Sequence, residues 1–169
     1  NDVVAAVTAP TANVTVELGA GNDTITALNG SAAAFTTLID SGTGNLTITD
    51  LAANAGTGAI TLKFATPVAG ATTSANVAAT TANFKVGDLL DFATNVTSVI
   101  NGAINGVNGV AGAAGQMFVD TTGGANTVIT FDADGNRAFS AGDVQITIIG
   151  NVLGFGIDAS GNAIVTASA

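Results

Sequence analysis

The residues best placed for chemistry lie in Asp132-Ala-Asp-Gly-Asn-Arg-Ala-Phe-Ser-Ala-Gly-Asp143. Side-chain oxygens fall at positions 1, 3, 5, 9 and 12 of this stretch, on Asp132, Asp134, Asn136, Ser140 and Asp143, and position 7, Ala138, offers its backbone carbonyl. Ca2+ takes about six to eight oxygens at about 2.3–2.6 Å, and this spacing wraps a loop of twelve residues around one ion. Two positions depart from the usual calcium loop. Arg137 stands where Gly makes the sharp turn, and Asp143 is shorter than the Glu that commonly closes the loop. The flanking segments alternate as strands do, so the loop is expected in a hairpin. A turn built around Asp-Gly-Asn needs no ion and is the plain alternative. Three carboxylates converging on one turn repel each other without a cation, which favours calcium.

Other chemistry has little to work with. The chain of 169 residues has no Cys, His, Trp or Tyr, and 9% of it is charged. That excludes disulfides, the usual zinc, haem and copper sites, and His-based triads. Ser and Thr are plentiful, but no His is present to activate one, and Lys63 and Lys85 sit in strand-like contexts. A paired-carboxylate hydrolase would line its cleft with aromatics, and 5% aromatic content, all Phe, argues against it. The chain is therefore expected not to be an enzyme. Three basic residues against twelve acidic ones give a net charge of −9, which repels phosphate backbones, so no nucleic-acid partner is expected.

The elements that must position these residues are mainly β. Asn13-Val-Thr-Val-Glu-Leu18, Asp23-Thr-Ile-Thr26, Asn45-Leu-Thr-Ile-Thr49 and Ala59-Ile-Thr-Leu-Lys-Phe64 alternate apolar residues with Thr or charge, as half-buried strands do. The breaks repeat: Gly19-Ala-Gly-Asn-Asp-Thr-Ile-Thr26 aligns with Gly42-Thr-Gly-Asn-Leu-Thr-Ile-Thr49 and with Gly56-Thr-Gly-Ala-Ile-Thr-Leu-Lys63. Gly-x-Gly turns feeding short strands suggest a stacked array of the β-roll or solenoid kind, the alternative being ordinary turns in a sandwich. Residues 1–65 read as this array, 66–83 as an uncharged linker or a loop with one weak strand, and 84–169 as an α+β calcium-hairpin region; the whole is also compatible with one continuous domain. Phe92, Val96, Val99, Ile100, Ala103, Ile104 and Val107 fall at helical spacing, which predicts a short helix over about 93–104. Strands are expected again over 116–119, 126–131, 144–149 and 162–166. The uncharged stretch 92–119 carries too many Asn, Gln and Gly for a membrane-spanning helix.

Leu18-Gly-Ala-Gly-Asn-Asp-Thr-Ile-Thr26 resembles the Gly-Gly-x-Gly-Asn-Asp-x-apolar-x nonapeptide of RTX repeats, in which turn carbonyls and Asp carboxylates of adjacent turns hold Ca2+ in a parallel β-roll. The resemblance implies a second calcium role for Asp23, although Leu46 and Ile60 replace the Asp in the next copies. Asn83-Phe-Lys-Val-Gly-Asp-Leu-Leu-Asp-Phe92 is similar to the element that follows such repeats in type I secreted proteins; otherwise Asp88 and Asp91 read as solvated residues at a strand-to-helix junction, with Asp88 capping it. The order of these segments over 83–150 resembles the C-terminal region of RTX-type bacterial S-layer and adhesin-like surface proteins. What the resemblance implies is an extracellular structural protein at the bacterial cell surface. It would fold and self-assemble with calcium into an S-layer or matrix fibre. Its partners would be copies of itself, with cell-surface polysaccharide a second class. The alternatives are a monomeric secretion-and-folding module of an RTX adhesin, or a pilin-like subunit that donates residues 3–17 as a strand. The first residues lack a basic and apolar leader, which suits a processed or excised piece or an export signal elsewhere.

Overall fold

The computed structural model describes residues 1–7, 11–28, 37–40, 42–49, 58–65, 71–78, 84–106, 109, 111–150 and 152–168. Alternating β-branched and polar residues in these segments favour a pleated, half-buried backbone, and fourteen strands form. They are β1 (Val3–Val4), β2 (Val14–Glu17), β3 (Asn22–Ile25), β4 (Thr37–Asp40), β5 (Asn45–Ile48), β6 (Ile60–Phe64) and β7 (Thr73–Ala78), then β8 (Leu89–Phe92), β9 (Ser98–Asn101), β10 (Gln116–Asp120), β11 (Asn126–Asp132), β12 (Val144–Ile149), β13 (Leu153–Ile157) and β14 (Ala163–Ser168). No helix occurs among the described residues.

The first sheet runs β1-β3-β5-β7-β12-β11-β10-β9 and the second β13-β14-β8-β6-β4-β2. Up to β8 the chain changes sheet with every strand, and each strand pairs in parallel with the one two places on. This is a two-sided coil stack. Register pairs Asn22 with Asn45 and Val14 with Thr37, so one coil takes 23 residues. Beyond the stack, β10, β11 and β12 form an antiparallel meander whose last strand pairs in parallel with β7. The β13–β14 hairpin pairs antiparallel with β8. Thr73–Ala78, in the stretch read as a linker or a loop with one weak strand, is thus a strand inside the first sheet.

One apolar core draws on both sheets. Leu46, Ile48, Ala75, Val77, Ile129 and Ile146 come from the first, and Ile39, Ile60, Leu62, Phe64, Leu90 and Val165 from the second. Phe92 of β8 stacks on Phe131 of β11 with ring centroids 4.4 Å apart, so an aromatic pair joins the sheets close to the calcium-type loop.

The first two Gly-x-Gly turns stack directly. Thr43 N–H donates to the Gly19 carbonyl at 3.2 Å and Asn45 N–H to the Gly21 carbonyl at 2.8 Å. A Cβ on Gly42 or Gly44 would overlap those carbonyls, which is why both are Gly. Beside the turns, Asn45 Nδ2 donates to Asn22 Oδ1 at 2.9 Å, and Asn45 Oδ1 accepts from Ser74 N–H at 2.9 Å. The third aligned copy behaves otherwise: Ile60 pairs with Thr37, so its strand lies in the second sheet and does not continue the first two. The recurrence that the structure uses is that of the coil, and the 14-residue echo between the second and third copies relates strands on opposite sides of it.

The helix expected over 93–104 is replaced by β9. Val96, Thr97, Val99 and Ile100 are β-branched, and the interspersed Asn and Gly are weak helix formers. Parallel pairing with β10 satisfies the backbone instead, with Ser98 opposite Gln116 and Asn101 opposite Val119. Val99 still reaches the core; helical spacing and a strand with one inward residue share that position.

Candidate metal centre

Pairing of Phe131 with Val144 closes the mouth of the β11–β12 hairpin. Asp132 and Asp143 flank that pair and are therefore brought face to face, both with 0% exposure. Asp134, on the exposed side of the loop, completes a group in which one carboxylate oxygen from each residue lies within 4.8 Å of the others. It is the one group of three or more such ligands among the described residues.

The loop is built around these carboxylates. Asp132 Oδ1 accepts from Gly135 N–H at 2.7 Å and Oδ2 from Arg137 N–H at 2.9 Å. Asp143 Oδ1 accepts from Ala133 N–H at 2.8 Å; its Oδ2 accepts from Ser140 N–H at 2.7 Å and Ser140 Oγ at 3.2 Å. Asp134 takes the N–H and Nδ2 of Asn136 at 2.9 and 2.8 Å and the Ser140 hydroxyl at 3.4 Å. Ala138 enters through its N–H, which donates to Asn136 Oδ1 at 2.7 Å. Asp132, Asp134, Asn136, Ser140 and Asp143 are therefore gathered into one hydrogen-bonded loop.

Arg137 takes the turn that Gly was expected to make. Its φ of +61° is the one positive value at a non-Gly residue among those described, a conformation that costs an L-residue roughly 1–2 kcal/mol. Its N–H on Asp132 holds it there, while the guanidinium donates to the Ile104 carbonyl at 3.3 Å and lies 6.0 Å from the Phe118 ring centroid.

Burial pushes the Asp132 carboxyl above its ordinary value of 3.8, helped by a hydrogen bond shared with Asp134 and by the charge of Asp143; the Arg137 and Gly135 N–H groups oppose this without cancelling it. The ligand atoms are all oxygen, which suits a hard divalent ion. A carboxylate oxygen has about two acceptor sites, so after the hydrogen bonds above each of the three Asp side chains keeps capacity for an ion. The three carboxylates could hold a metal ion, while Asn136 turns its Nδ2 toward Asp134 and Ser140 and its Oδ1 toward Ala138 N–H.

Asp23 lies apart from this group, on β3, with 2% exposure. Its Oδ1 accepts from Asp2 N–H at 2.7 Å and sits 3.7 Å from the Asn1 ammonium, and its Oδ2 is buried without a hydrogen bond. Its neighbour in the next coil is Leu46, so that neighbour supplies no carboxylate.

Asp88 is neither solvated nor at a helix. It is fully buried, and its oxygens accept from Ile60 N–H and Lys85 N–H at 2.8 Å each, locking β6 to the turn before β8. Burial raises its carboxyl too, against the pull of those two N–H groups and the Lys85 charge. The sequence signal was Lys-Val-Gly-Asp, an acid closing a tight turn; its burial depends on pairing with a strand 28 residues away.

Set against family models, curated proteins and solved structures, the chain matches none of them. The RTX resemblance therefore rests on the residues quoted for it.

Proposed function

We propose that this chain is an extracellular structural protein that completes its fold with Ca2+ at Asp132, Asp134, Asn136, Ser140 and Asp143 and associates with its own copies into a layer or fibre. The observation that carries the reading is the burial of Asp132 and Asp143 against each other, with Asp134 beside them. A fold that places like charges at the mouth of a hairpin is most stable when a cation joins them. The coil stack supports a structural role, since its stability accumulates through contacts between neighbouring coils. Strand donation finds less support: residues 3–17 supply β1 and β2, which lie in different sheets and pair within the chain.

Calorimetric titration tests the site. Ca2+ should bind and raise the unfolding midpoint, with a stabilisation of about 2.7 kcal/mol at a hundredfold excess over Kd. Identical midpoints in calcium and in chelator would overturn the reading. Size measured by light scattering across the same titration separates an assembling protein from a monomeric module.

A further inference from the structure

Among the described residues the coil stack ends in edge strands with a partner on one side only, and their directions match. In the first sheet β1, β3, β5, β7 and β12 run the same way; two antiparallel steps, through β11 to β10, restore that direction, and β9 is parallel to β10. Hence β9 runs with β1. In the second sheet β2, β4, β6 and β8 run together, and two antiparallel steps through β14 bring β13 back to the same direction. Hence β13 runs with β2. The strands β1 and β2 border one end of the stack, while β9 and β13 lie against each other at the opposite end.

From this geometry we infer that copies of the chain join head to tail, with β9 of one beside β1 of the next and β13 beside β2, so that both sheets continue through the joint. This rests on the proposed association between copies. Simple translation along the stack, with the usual sheet twist, makes both new pairings parallel, as the pairings within the coil stack already are. Such a joint is heterologous and does not close on itself, so it builds a filament.

The edges carry few guards: β13 has an irregular register at Gly154/Phe155 and its Leu153 N–H is held by Thr127 Oγ1. The four strands carry one charge, Glu17, and no Lys, Arg or Pro, the residues that guard exposed edges. On β1, the Asp2 and Val4 carbonyls accept from Thr24 and Thr26 N–H at 2.9 Å. In a parallel ladder the residue between them points its N–H and C=O the other way. That residue is Val3, 75% exposed.

Two blocked variants of the full chain test the joint. Val3→Pro with Thr15→Lys removes an outward N–H and places charge on the β1/β2 end; Asn101→Lys with Ile157→Lys charges the β9/β13 end at exposed positions. Val3→Lys replaces the proline should that variant fail to fold, and an unchanged calcium-dependent unfolding midpoint certifies each variant. In calcium, wild type should give filaments by electron microscopy and each blocked variant alone a monomer by sedimentation. An equimolar mixture of the two should give a particle of twice the monomer mass and nothing longer. Filaments from either variant alone would overturn the inference, as would a dimer of one variant alone, which marks a two-fold joint. A wild-type chain that stays monomeric in calcium would instead overturn the proposed association itself.

Discussion

Asp134 and Asp132 share a candidate site but answer to different forces, and their substitutions separate calcium binding from loop folding. Asp134 is exposed; it bonds with Asn136 and Ser140 and shares a hydrogen bond with Asp132. Asp134→Ala should abolish most of the calcium-dependent rise in unfolding midpoint, yet change stability in chelator by only about 0.5 kcal/mol. Asp132→Ala strips the acceptors from Gly135 and Arg137 N–H and should destabilise the chain in both buffers, by about 1–3 kcal/mol in chelator. Equal effects of the two substitutions, measured by thermal unfolding, would make the loop a plain turn. The pH dependence follows from the raised carboxyls of Asp132 and Asp88. A folded-state value above the unfolded one means that protons bind the native state more tightly; this stabilisation is full below the ordinary 3.8 and fades as pH rises through the higher folded values. In chelator, the unfolding midpoint should therefore rise as pH is lowered from neutral toward about 4, and the slope should shrink in Asp132→Asn. With calcium the direction reverses, because protons displace the ion. A flat profile in chelator across that range would remove the argument for a buried, charge-deficient group.

At the scale of elements, the stacked turns make the sharpest claim. Gly44→Ala forces a methyl into the Gly21 carbonyl and should cost about 3 kcal/mol, the range of overpacking. Gly123→Ala, which meets nothing within 4 Å and lacks a positive φ, should stay within about 0.5 kcal/mol on the same denaturant curve. Comparable losses would mean that the turns do not stack. These turns were legible in the sequence because Gly-x-Gly-Asn recurs at the coil length, and the carboxylate loop was legible because its ligands are local. What sequence alone concealed was non-local. The residues of β9 satisfy a helical period as well as a strand, and only β10 decides between them. The sheet assignment of Ile60–Phe64 depends on a chain that changes sides with every strand. Asp88 looks like a surface acid until β6 arrives to cover it. Local spacing identifies strands and ligands; which sheet a strand of the coil stack joins is set by partners 21 to 29 residues away, and β9 by a partner 18 residues on.

Across the whole molecule, calcium and assembly should leave separate marks on the backbone. The candidate loop is tied to the coil stack as well as to its own hairpin: Gly142 N–H donates to the Ala71 carbonyl at 2.9 Å and Thr73 N–H to the Asp143 carbonyl at 3.0 Å. An ion on Asp143 would therefore steady the start of β7, the strand that joins the parallel stack to the antiparallel meander through β12. The edge strands β1 and β9 are far from that joint in the order of the first sheet, and among the described residues β1, β2, β9 and β13 each have a partner strand on one side only. Hydrogen exchange of the dilute, unassembled chain should thus slow in β7, β11 and β12 when calcium is added, with little change in β1 and β2. Raising the concentration at constant calcium should then protect β1, β2, β9 and β13. Net charge enters at this second step. With a charge of −9, copies repel each other, and sodium chloride at matched ionic strength screens that repulsion without filling the loop. It should promote contact between copies less than calcium does and leave β7 exchange unchanged. If calcium instead protected all these strands together in the dilute chain, folding and assembly would be a single event. If sodium chloride slowed exchange in β7 as calcium does, screening of the acidic surface would account for the effect, and the carboxylates of Asp132, Asp134 and Asp143 would not be its origin.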